Sequence, residues 1–145
     1  MTREDKGHFA EKHEKDQSID PRILEAIRDR TVENEIPCAV AFTIVGDLGI
    51  SPEDVGRAVD LVEKKITKCQ LGLFGYGPGK QAVKPAEELD PDLEKAIRGS
   101  LAEGRLPCKA AWDIAERLEL RKMQVSSACE TLGFKINKCQ LGTFR

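Results

Sequence analysis

Shifting the chain by 70 residues lays one half on the other without a gap, and that repeat limits the fold more than any other feature. Asp20-Pro21 falls on Asp90-Pro91, Ala26-Ile27-Arg28 on Ala96-Ile97-Arg98, and Pro37-Cys38 on Pro107-Cys108. The string KCQLG recurs at 68–72 and 138–142, with Phe74 on Phe144. Of the 55 pairs from Asp20 to Phe74, 21 are identical, where chance supplies roughly three or four, so one structural unit is duplicated. Two copies are too few for a solenoid and point to a two-lobed body. The expected layout is a disordered charged tail at 1–18, unit 1 at 19–74, a Gly- and Pro-rich linker at 75–88 and unit 2 at 89–145.

Within a copy, apolar spacing predicts three helices. Asp20-Pro21 and Asp90-Pro91 each read as an N-cap followed by proline at the first helical position. The first helix then runs to about Glu33, with Ile23, Ala26 and Ile27 inward; Leu93, Ala96, Ile97 and Leu101 do the same in copy two. Pro37 and Pro107 open a second helix, whose stripe is Val40, Ala41, Ile44, Val45 and Leu48 in copy one and Ala111, Ile114, Ala115 and Leu118 in copy two. A third helix starts at Ser51-Pro52, with Asp54 placed as in a capping box. Val55, Val59 and Val62 form its inner face, matched by Val125, Ala128, Cys129 and Leu132. Ile66 and Ile136 then begin segments of strand character. A lone unit of this size buries only about 60% of its unfolded surface, so the copies are expected to pack together or dimerise.

Composition narrows the class. Apolar residues at 40% are enough for a core, and aromatics at 5% leave it to Ile, Leu, Val and Ala. No apolar run approaches the roughly 18 residues that cross a bilayer, so no membrane partner is expected. The N-terminal MTREDKGHFAEKHEKDQS has no apolar stretch of a signal peptide, which points to a cytoplasmic protein. Five cysteines are an odd number and read as reduced thiols. A net charge of −2 is not the basic surplus of most nucleic-acid binders, but the charge is uneven. Residues 35–75 hold four basic and six acidic side chains, whereas 105–145 hold eight basic and four acidic.

The stretches IVGDLGISPEDVGRA and IAERLELRKMQVSSA both fit a short helix, a turn of three or four residues and a second helix. Val45 or Ala115 lets the helices approach, and Ile50 or Leu120 plugs the turn. In this the chain resembles the helix-turn-helix of prokaryotic regulators. With a short strand or β-hairpin after helix three, each copy resembles a winged helix. The resemblance implies a mainly α fold of two tandem winged helix-turn-helix units and a transcriptional regulator that binds double-stranded DNA. Copy two supplies the expected recognition helix: Arg121, Lys122, Gln124 and Ser127 project opposite its apolar face, with chemistry suited to base edges and phosphates. Lys109, Lys135 and Lys138 flank it as candidate phosphate contacts, and Arg57, Lys64 and Lys65 are those of copy one. Copy one itself begins helix three with Glu53 and Asp54, which repel a phosphate backbone. About six such contacts make affinity fall steeply with salt, at a log–log slope of roughly −0.9 per contact. The rival reading is a docking module for another protein or a second copy of the chain, since fold does not fix function.

The remaining motifs carry less chemistry. Cys38 and Cys69 recur as Cys108 and Cys139, a pair per copy for thiol sensing or metal, yet no Cys-x-x-Cys occurs and both histidines, His8 and His13, lie in the tail. Buried cysteine is also an ordinary small hydrophobe. No metal and no cofactor is therefore expected. Gly72 and Gly142 predict a turn or bulge in KCQLG. GYGPGK at 75–80 lacks the spacing of a phosphate-binding loop. No nucleophile has a histidine nearby, so the chain is expected not to be an enzyme.

Overall fold

A computed structural model of the chain describes residues 20–76 and 82–145. The chain is mainly helical with a few short strands, and it divides into two compact units. The tail expected at 1–18 and part of the expected linker, 77–81, lie outside the described residues.

Unit 1 opens with α1, Pro21–Arg30. The Asp20 carboxylate accepts the Arg22 amide at 2.9 Å and caps it. The Arg22 guanidinium, bonded to the same carboxylate at 2.7 Å, holds the Asp20 carboxyl below its usual range. Ile23 and Ile27, one turn apart, are the buried face. α1 ends three residues earlier than expected. Glu33 and Asn34 both take positive φ, 50° and 65°, and Val32 and Glu35 exchange two backbone hydrogen bonds of 2.9 Å across them. Two successive left-handed residues make the tight reversal of a type I′ turn, which a helix cannot contain. The chain then forms β1, Glu35–Pro37, and α2, Cys38–Leu48. Gly49 at φ 64° terminates α2. After Ile50, Ser51 caps α3, Pro52–Leu61, by accepting the Asp54 amide at 3.1 Å. β2, Lys65–Thr67, closes the unit by pairing parallel to β1, with Ile36 beside Ile66. A parallel pair needs a long crossover, and α2 with α3 provides it. Ile27, Ile36, Ile44, Val55 and Val59 are fully buried between these layers.

Unit 2 repeats the plan: α4, Pro91–Ser100; β3, Leu106–Pro107; α5, Cys108–Arg117; α6, Lys122–Leu132; β4, Ile136–Asn137. Glu103 and Gly104 form the same left-handed turn, and Leu106 pairs with Ile136 in the same parallel register. Leu101, expected on the inner face of the helix, is instead the residue that ends it. The strand expected after helix three is thus present in both units. It pairs with the strand ahead of helix two, and no antiparallel hairpin follows it among the described residues.

The compact units and the sequence repeats do not share boundaries. Unit 1 includes Gln140–Thr143 from the end of copy two, and unit 2 begins at Gln70, inside the KCQLG of copy one. In unit 1 the Leu141 carbonyl lies so close to Gly56 of α3 that a Cβ there would overlap it. In unit 2 the Ser126 hydroxyl of α6 donates to the Leu71 carbonyl at 2.6 Å. Gly56 and Ser126 are 70 residues apart, so the two tails dock at equivalent places. Gly72 and Gly142 take φ of 77° and 81°, the unusual backbone expected of them. Within unit 2, Phe74 and Phe144 meet edge to face with centroids 6.1 Å apart.

Candidate nucleic-acid interface

The turns before helix three share their geometry, but the helix starts differ in chemistry. Glu119 of unit 2 takes φ 56° where Gly49 of unit 1 takes 64°. In unit 1, α3 has a serine cap, proline at the first position and two carboxylates in the first turn, all of which suit the positive end of a helix. In unit 2, α6 starts from Arg121, whose side chain makes no cap bond, followed by Lys122. The Gln124 side-chain carbonyl accepts the Arg121 amide at 2.8 Å, and the Arg121 backbone carbonyl accepts the Gln124 amide at 3.0 Å, so this start is held without a side-chain cap from Arg121. Two cations at the positive end of a helix oppose its dipole, at a cost of about 0.3–1 kcal/mol each at an exposed site.

The structure brings together part of the expected set. Arg121 and Gln124 are exposed, and with half-buried Ser127 they line a groove of about 350 Å³. Leu93, Leu120 and Met123 line the same groove, as do Glu88 and Asp90. Lys122 is turned onto α5, with its ammonium 4.5 Å from the centre of the Trp112 ring, a contact worth about 0.5–1 kcal/mol near the surface. Lys109 is exposed and spends its charge on Asp113 at 3.0 Å. Lys135 and Lys138 flank β4, exposed and outside any ion pair among the described residues. In unit 1, Arg57 is paired with Asp54 at 2.8 Å and its Nε is buried without a partner. Lys64 donates to the Asn34 side chain at 2.8 Å, and Lys65 is half-buried in β2. Trp112 and the pair Glu88 and Asp90 were not foreseen as part of the site. The acidic run ahead of Asp90-Pro91 is visible in the sequence, but its placement against α6 depends on contacts that are distant along the chain.

The thiols sit mainly in the cores. Cys38, Cys69, Cys108 and Cys129 are buried, Cys139 is half-buried, and none is in a disulfide. Among the described residues no group of three or more His, Cys, Asp or Glu is placed to hold a metal ion. Burial, reinforced by the neighbouring Glu130 charge, pushes the Cys129 thiol up to about 11. Its folded value thus exceeds the unfolded one, and the unfolded chain loses this proton first as pH rises. The chain is expected to lose stability between about pH 9 and 11, on the order of 1–2 kcal/mol, relative to a Cys129→Ala variant. Urea unfolding of both proteins across that range checks it, and parallel curves would refute it.

No known protein family, curated protein or solved structure matches this chain. No helix among the described residues is long and apolar enough to cross a membrane.

Proposed function

We propose that the chain is a DNA-binding protein, a transcriptional regulator of helix-turn-helix type that reads duplex DNA with the start of α6. The observation that carries this reading is the cost built into that start. Arg121 and Lys122 stand where unit 1 has a serine cap and two first-turn carboxylates, so α6 gives up a side-chain cap and favourable dipole charges for an exposed guanidinium and a second cation. Departures from a local rule are expected at functional or strained sites. A phosphate at this end offsets the unfavourable charge, because it pairs with the guanidinium and suits the positive end of the helix. Arg121 and Gln124 have donor groups for base edges, and Lys135 and Lys138 have free charge for the backbone. In this reading each unit is a variant of the winged helix, with the parallel strand pair in place of a wing, and the protein works in the cytoplasm.

Titration into fluorescent random-sequence duplex at two salt concentrations tests the proposal. The wild-type chain is expected to bind more weakly at the higher salt, and Arg121→Glu/Lys122→Glu at least tenfold more weakly than wild type. Absence of binding at low salt removes the DNA reading. Binding that the double substitution leaves intact moves the interface away from α6. A second reading, docking of another protein, is favoured by Glu88, Asp90 and the apolar residues that line the same groove. It predicts that the fluorescent duplex is ignored at any salt.

A further inference from the structure

Residues 82–90 read as linker and helix lead-in, yet they are seated along α6. The Ala82 and Val83 amides both donate to the Gly72 carbonyl, at 2.7 and 3.2 Å, and Val83 is buried. Gly72 is itself required here, since a Cβ on it would crowd Val83 and Met123 at 3.0–3.3 Å. Farther along, the Ala86 amide donates to the Ser127 carbonyl at 3.1 Å, and the Thr131 hydroxyl donates to the Ala86 carbonyl at 2.8 Å. Ser127 and Thr131 are one helical turn apart, so Ala86 is clipped to α6 through both its backbone groups. Beyond the clip the segment carries Glu87, Glu88 and Asp90, and its single cation, Lys84, precedes the clip. Glu88 and Asp90 enter the groove of Arg121 and Gln124.

We propose that residues 84–89 are an autoinhibitory strap that lies along the α6 face and is displaced by duplex DNA. This rests on the nucleic-acid reading of α6. The strap puts carboxylates where a phosphate backbone must come, and duplex DNA carries a negative charge about every 1.7 Å. Strap and DNA therefore exclude one another by charge as well as by space. The strap also lies beside Ser127, whose backbone carbonyl accepts the Ala86 amide. The clip consists of two hydrogen bonds around Ala86, while buried Val83 before it and the α4 cap Asp90 after it stay seated, so its release is local and leaves the core of unit 2 in place. Apparent DNA affinity is the open-strap affinity scaled by the fraction of molecules with the strap open. Weakening the clip raises that fraction.

Two substitutions weaken it without altering charge. Thr131→Val removes the hydroxyl, and Ala86→Pro removes the amide. In the full-length chain both are expected to bind random-sequence duplex several-fold more tightly than wild type at equal salt. Hydrogen exchange at the Ala86 amide, followed in the wild-type chain, is expected to accelerate when DNA is added. Unchanged affinity in both variants, or an Ala86 amide that stays protected in the complex, overturns the strap and leaves the α6 interface standing. Failure of all three proteins to bind duplex at low salt removes the interface, and the strap with it.

Discussion

Gly56→Ala is expected to destabilise the chain by about 2–4 kcal/mol, although alanine is the better helix former. Gly56 lies in the middle of α3, where propensity alone predicts a gain of about 1 kcal/mol. The close approach of Leu141 reverses the sign. The new methyl would overlap a backbone carbonyl, and a backbone cannot turn aside as a side chain can. Either α3 shifts within the core of unit 1 or the 140–143 segment leaves it. The neighbouring glycines provide the contrast. Gly46 in α2 and Gly99 in α4 have open space where a Cβ would stand, so Gly46→Ala and Gly99→Ala are expected to stabilise by about 0.5–1 kcal/mol. Urea midpoints of the three variants decide the matter. A Gly56→Ala protein as stable as wild type would mean that the tail does not rest on α3.

Much of the fold was legible because its signals are local. Asp20-Pro21, Asp90-Pro91 and Ser51-Pro52 mark helix starts through groups two or three residues away, and the structure places helices at all three. Gly49 and Gly133 end helices because only their own backbone must turn left-handed. The same logic failed at Glu33-Asn34, where ordinary side chains take the left-handed turn and the apolar spacing runs on past it. The parallel pairing of Ile36 with Ile66 was invisible, because the strands are three residues long and 27 residues lie between Pro37 and Lys65. The candidate site divides in the same way. That Arg121, Gln124 and Ser127 share a face follows from helical period alone. That Glu88 and Asp90 stand beside them follows from the Ala86 clip, which no spacing rule contains.

The duplication also explains why two similar units present different surfaces. The residues that hold the layers together, Ile27 and Ile97, Ile44 and Ile114, Val55 and Val125, are retained in both copies. The start of helix three, at 51–54 and 121–124, has no buried residue in either copy and is free to differ. At one such start, Ser51 with Glu53 and Asp54 favours stability, whereas Arg121 with Lys122 favours charge. The tail docks have diverged without being lost: Gly56 receives a carbonyl by standing aside, and Ser126 receives one by bonding to it.

That exchange predicts a crossed response to truncating either leucine. Leu71 is fully buried and Leu141 nearly so, and Leu→Ala at such sites costs about 2–5 kcal/mol. Ordinary repeats would suffer the loss in the copy that carries the substitution. Here Leu71 belongs to copy one by sequence but to unit 2 by packing, and Leu141 the reverse. Leu71→Ala is therefore expected to loosen α6, where its carbonyl receives the Ser126 hydroxyl, and to leave α3 protected. Leu141→Ala is expected to loosen α3 and spare α6. Hydrogen exchange resolved by helix separates the two patterns. Protection lost in α3 on Leu71→Ala, with α6 intact, would return each tail to its own copy and dissolve the exchange.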